Sequence, residues 1–178
     1  MLARSGVVTI FGILAGLAIV VAADTKPKAA TYVTSEEMQA TLKKAPPDSA
    51  TDQQVRVVDV GKVNVGVGVV YRSAKAAQSA VEHDNLTEVY EILEGTGTLM
   101  TGGEIVTADG KPATTRDSKG PSGPSLRGST LRGGESKHVG PGDIIIIPPG
   151  VGHIFTQIDG TIKYAVVRVD PDRVLPIK

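Results

Sequence analysis

The run Gly142-Asp143-Ile144-Ile145-Ile146-Ile147-Pro148-Pro149-Gly150-Val151-Gly152-His153 decides how this chain is read. Four consecutive isoleucines, entered through Gly-Asp and left through Pro-Pro-Gly, predict a short strand buried on both faces and ended by a turn. His153, three residues past the turn glycine, is then positioned by the wall that the next strand builds. Upstream, His83-Asp84-Asn85-Leu86-Thr87-Glu88 has two turn formers at its centre, so His83 ends one strand and Glu88 begins the next. A hairpin there resets the alternation, and inward positions continue from Glu88 to Tyr90 and Ile92 while Val89 and Glu91 face away. A carboxylate inside an apolar barrel needs strong hydrogen bonds or a cation to stay ionised, and a metal supplies the cation.

Working outward, Val55 to Val60 and Lys62 to Arg72 are dense in valine and predict two strands broken at Gly61. Gly66 and Gly68 on one face either admit a close neighbour or mark a bulge. Before these strands, Asp48 to Gln54 reads as a loop, and Thr34 with Glu37 forms a capping box for a helix that Pro46-Pro47 stops. Gly95-Thr96-Gly97 predicts a turn before a strand at Thr98 to Thr101. Residues 109–130 carry Gly110, Gly120, Gly123, Gly128, Pro112, Pro121 and Pro124 with almost nothing apolar, which predicts a disordered insertion or a lid over the barrel mouth. Strands resume at Ser136 to Val139, Ile144 to Pro148, His153 to Gln157 and Ile162 to Val169, and 171–178 is a C-terminal tail. His138, beside Lys137, is expected to be an exposed strand residue.

Composition agrees with a β-rich domain: two Phe, four Tyr and no Trp accompany 21 glycines. Lysine plus arginine and aspartate plus glutamate both count 19, so no overall field recruits nucleic acid or an anionic membrane surface. Cysteine is absent, which excludes disulfides, thiolate catalysis and zinc-thiolate sites together, and leaves His and carboxylate to hold any metal. Arg4, the uncharged run from Ser5 to Ala23, and Val21-Ala22-Ala23 at its end have the form of a signal peptide over 1–23. The expected product is secreted or periplasmic, and a membrane is a partner only if the segment stays uncleaved as an anchor. A linker and the N-terminal helix fill 24–54, and 55–170 form one β-domain.

The spacing G-x5-P-x-G-x2-H from Gly142 to His153 resembles the second motif of the cupin superfamily, with Gln157 in the slot where that motif usually ends in Asn. His83, Glu88 and Gly95 resemble the second half of the first cupin motif, G-x5-H-x-H-x3,4-E-x6-G. Its first half departs, since Val81 holds the place of the first histidine and Lys75 that of the glycine. The resemblance implies an all-β fold, a cupin-type antiparallel β-sandwich or jelly-roll barrel with a short N-terminal helix. It also implies a pocket carrying a divalent metal on His83, Glu88 and His153. Two histidines and one carboxylate leave coordination positions open, an arrangement used by non-haem iron and accepted by manganese, zinc and nickel.

The alternative is a metal-free cupin in which Val81 has broken the site and the trio is a hydrogen-bonded remnant. Tyr90 or Gln157 would orient a substrate, and Arg72 is the candidate anion clamp, with Tyr71 in its place if the register slips by one. Two functions follow: a metal-dependent oxygenase, isomerase or lyase on a small molecule, or a non-catalytic module that binds a small molecule or carbohydrate. A homodimer is an open partner.

Overall fold

The computed structural model describes residues 29–118 and 122–178; the leader expected over 1–23 lies outside them. Helix α1 (Ser35–Leu42) starts as the sequence predicts: the Thr34 hydroxyl accepts from the Glu37 amide and the Glu37 carboxylate accepts from the Thr34 amide, a reciprocal cap at both 3.1 Å. Leu42 is its buried residue, and the helix rests on the outer side of the first two strands. The strands that follow are β1 (Ala50–Asp59), β2 (Asn64–Ser73), β3 (Ala80–His83), β4 (Thr87–Glu94), β5 (Gly97–Thr101), β6 (Glu104–Val106) and β7 (Arg116–Asp117). Then come β8 (Ser125–Gly128), β9 (Thr130–Arg132), β10 (Glu135–Val139), β11 (Ile144–Ile147), β12 (His153–Ile158) and β13 (Thr161–Asp170).

All the strand pairs are antiparallel. One sheet runs β1-β2-β13-β4-β11, a second runs β10-β5-β12-β3-β8-β7, and β6 with β9 form a small hairpin-like pair. The two large sheets enclose a core of Val70, Tyr90, Ile92, Leu99, Phe155, Tyr164 and Val166. This is the expected antiparallel jelly-roll sandwich with one short helix. At one end Val57, Leu86 and Leu175 form a smaller cluster. The C-terminal tail is tied to the barrel there, because the amides of Val57 and Lys178 each donate to the other's carbonyl.

Three expectations are corrected. The first strand begins at Ala50, so Asp48 to Gln54 is mostly strand, and a bulge between Gln54 and Arg56 absorbs the irregular pattern. The isoleucine strand β11 is an edge strand and is not buried on both faces: Ile147 is buried, but Ile144 and Ile146 are 67% and 66% exposed. An antiparallel sheet covers only its inner face here, and a run of four isoleucines has no alternation to reveal which side is wet. The excursion 109–130 is not a structureless insertion among the described residues. Arg116 and Asp117 pair with β8, which pairs with β3 in the register Ala80↔Gly128, Val81↔Arg127, Glu82↔Leu126 and His83↔Ser125.

Candidate metal centre

His83 closes β3 and Glu88 lies second in β4, so a tight turn through Asp84-Asn85-Leu86 brings both side chains inward. His153 opens β12 after the Pro148-Pro149-Gly150 turn, in which Gly150 adopts φ +74° and donates its amide to the His83 carbonyl at 2.8 Å. Only a residue free of Cβ takes that φ without strain. The turn therefore ties the two histidine segments to each other directly. The residues His83, Glu88 and His153 are 6%, 1% and 4% exposed, and their ligand atoms all lie within 4.8 Å of one another. Nε2 of His83 is 3.7 Å from Oε1 of Glu88, and Nε2 of His153 is 3.3 Å from Oε2.

Proton positions follow from the partners of the other ring nitrogens. Nδ1 of His153 faces the Val151 carbonyl at 3.1 Å, and a carbonyl only accepts, so Nδ1 carries a proton. Nδ1 of His83 faces Oγ of Ser125 at 2.8 Å, and that hydroxyl donates its single proton to the Gly123 carbonyl at 3.0 Å. The serine oxygen is thus an acceptor, and His83 also carries its proton on Nδ1. Burial pushes the His83 imidazole down to about 4, against the partial opposition of Glu88, so it is neutral at pH 7 and its Nε2 bears a lone pair. The donor set is then two imidazole lone pairs and a carboxylate, aimed at a common point and oriented by the bonds behind them, as metal-ligating histidines require. His83, Glu88 and His153 are positioned to bind a metal, and their chemistry fits one.

The sequence assigned the counter-charge of Glu88 to a metal alone, and the structure adds another cation. Arg168, inward on β13 and directly across from Glu88 in register, donates Nε to Oε1 at 2.8 Å. Its Nη1 donates to Asp52 at 3.1 Å and its Nη2 also reaches Asp52. The Tyr90 hydroxyl donates to Oε2 of Glu88 at 2.8 Å. Burial alone would raise the Glu88 pKa, but the neighbouring His153 ring and the charge of Arg168 outweigh it and hold the carboxyl far below the usual range. Gly66 leaves room for Gln54 and Leu175, which a Cβ there would approach to 2.8 and 2.9 Å, and a Cβ on Gly68 would sit 3.1 Å from the Gln53 carbonyl and in ordinary contact with Arg168 at 3.5 Å. Arg168 was legible in principle, since Tyr164, Val166 and Arg168 follow the inward period of two. Ser125 left no such signal.

The trio opens on a cavity of about 430 Å³, within the range that holds small molecules, whose lining also includes Arg72, Val81, Arg127 and Tyr164. Val81 sits opposite His153 in register and fills the place of a fourth ligand with methyl groups. Arg72 faces inward as expected, donating Nε to the Tyr164 hydroxyl at 2.9 Å and Nη1 to Gln78 at 3.0 Å. Gln157 does not reach the cavity: the bulge between Phe155 and Gln157 turns it to solvent, where it donates to Asp159 at 2.9 Å. His138 is exposed on its strand, 3.7 Å from Asp159. A second cavity of about 410 Å³, outside β1 and β2, is lined mainly by Val58, Val60, Val65 and Val67 and has no converging polar groups.

Sheet order and centre together define a cupin-type jelly roll with a His-Glu-His cluster inside the barrel. No family model matches the chain, and no curated protein is similar to it. Solved structures similar to it include the EutQ protein of Clostridium difficile, at 13% identity over 69% of either chain with a TM-score of 0.41. The DMSP lyase DddQ from Ruegeria pomeroyi DSS-3 is 17% identical, over 67% of this chain and 46% of that one, with a TM-score of 0.41. An uncharacterised conserved protein with a double-stranded β-helix domain from Klebsiella pneumoniae is 15% identical, over 67% of this chain and 79% of that one, with a TM-score of 0.41.

Proposed function

We propose that this chain is an exported metal-binding cupin that acts on a small organic molecule, with a divalent metal held by Nε2 of His83, Nε2 of His153 and an oxygen of Glu88. The observation that carries this reading is the convergence of three acceptors whose outer atoms are already engaged. Iron, manganese, zinc and nickel all accept such a set. When bound, the ion supplies a Lewis acid that polarises a substrate oxygen. Tyr90 and Arg168 fix the carboxylate plane, and Ser125 fixes the His83 ring. Oxygenase, isomerase and lyase chemistry remain open to this arrangement. Export rests on the form of Arg4 and the Ser5 to Ala23 run, and the mature chain is expected to begin at Asp24.

The second reading, a binding module without turnover, is favoured by one feature of the cavity. Its carboxylates and phenols are engaged: Glu88 with Arg168 and Tyr90, Asp52 with Arg168, Tyr164 with Arg72. Elemental analysis of the untagged protein, purified without chelator, tests the metal common to both readings. One equivalent of a transition metal is the expected result, and an empty site that also fails to load with any of the four ions would end the proposal. Intact mass of the exported protein tests the start at Asp24.

A further inference from the structure

The cavity holds four basic side chains, Arg72, Arg127, Arg168 and Lys178, against two carboxylates, Asp52 and Glu88. Both carboxylates are engaged by Arg168. Lys178 has its ammonium on the Gln54 carbonyl at 2.5 Å. Among the described residues Arg72 is bonded only to neutral groups, the Tyr164 hydroxyl and the Gln78 amide. Arg127 has no hydrogen-bond or ion-pair partner among the described residues. It shares the inward face of β8 with Ser125, two positions away, and stands across from Val81 in register. Another arginine of the same excursion behaves differently: Arg116, on the outer side, bridges Glu82 at 3.1 Å and also Asp84. Among the described residues, acidic partners are thus supplied to the outward arginine and withheld from the inward one.

Two guanidiniums with no carboxylate partner among the described residues, facing one concave space, make a site for an anion, because guanidinium offers paired donors that match the two oxygens of a carboxylate or phosphate. A metal on the trio would add to the positive charge of the cavity. We propose that Arg127 and Arg72 are the receptor for the oxyanion of the ligand, so that the small molecule taken by this cavity is an organic anion, a carboxylate or a phosphate ester. This deepens the proposed function by naming the ligand class of the same site and rests on that reading only for the presence of the metal beside it. In this role Arg127 is a specificity residue, contributed by the excursion and not by either cupin motif.

Calorimetric titration of the full chain with phenylacetate, phenyl phosphate and the neutral phenylacetamide tests this, each on metal-loaded and on chelated protein. At least one anion is expected to bind tenfold or more tightly than the amide in both preparations, and the stronger of the two identifies the head group. Arg127→Gln is expected to remove about tenfold of the anion affinity, to leave the amide unchanged, and to keep the wild-type metal content. Arg127 is exposed, so its loss does not threaten the fold. Equal affinities for anions and amide, or unchanged anion affinity in Arg127→Gln, would overturn the clamp. Failure to take up metal, with the anion preference intact, would remove the metal reading and leave the clamp standing.

Discussion

The two histidines of the centre are held by unlike supports. His153 has its Nδ1 on the Val151 carbonyl, two residues away in its own turn, and needs no other segment to set its tautomer. His83 has its Nδ1 on Ser125, 42 residues along the chain, in a strand that joins the sheet only after a Gly- and Pro-rich excursion. That strand is anchored by the Asp84 amide donating to the Pro124 carbonyl at 3.0 Å and by Arg116 on Glu82 and Asp84. One ligand is oriented by local backbone and the other by the completion of the fold, so perturbing the excursion should disable half of the centre.

The largest effect tests what the histidines share. His153→Ala and His83→Ala are each expected to abolish stoichiometric metal, read by elemental analysis, while costing about 1–3 kcal/mol in chemical denaturation through partners left unpaired. A stability loss with wild-type metal content would mean that the trio is a hydrogen-bonded core cluster. Acid separates the supports in another way. An unfolded histidine titrates near 6.5 and folded His83 near 4, so between these values the unfolded chain carries a proton that the folded one lacks. Stability of the metal-free protein is expected to be full above about 6.5 and to fall toward pH 4 by up to ~3 kcal/mol. His83→Gln should flatten that slope in a urea titration series, and an unchanged slope would place the proton uptake elsewhere.

The supports themselves are compared by a pair of substitutions. Ser125→Ala removes the acceptor behind His83 and is expected to weaken metal binding about 10- to 100-fold. Val151→Ala keeps the carbonyl behind His153 and should leave affinity unchanged. Equal losses in both would mean that packing, not the bond to Nδ1, sets ligand quality. The smallest effect is expected from Val81→His. Residues 81 and 83 share a face, so the new imidazole enters the cavity opposite His153 and should tighten metal binding modestly, as measured by competition with a chromogenic chelator. No tightening would indicate that the strand does not present position 81 to the ion.

Much of this molecule was legible in the sequence where a period or a spacing carried the information. The alternation of β2, the inward series Glu88, Tyr90 and Ile92, and the turns before Glu88 and His153 all appear as read. Gly95 in the first motif has a plain reason: a Cβ there would lie 1.9 Å from the Thr161 carbonyl oxygen. The unread parts are contacts between segments whose local sequences are silent. Ser125 is one polar residue in a stretch full of them, and only its pairing with His83 gives it a role. Asp52 lies in a stretch with too few apolar residues to suggest a strand, yet it completes the Arg168 network. Gln157 was misplaced because a bulge shifts the parity of β12 by one residue, and spacing along the chain cannot register that.

Glu88 enters the centre with both oxygens already bonded, Oε1 to Arg168 and Oε2 to Tyr90. Its carboxylate plane cannot turn without breaking one of those bonds, so its rotational freedom is lost when the chain folds and not when an ion arrives. Association then carries little ordering penalty from this ligand, the usual benefit of preorganisation. Tyr90→Phe would return that freedom, and the resulting loss of affinity should appear mainly as a less favourable entropy of binding.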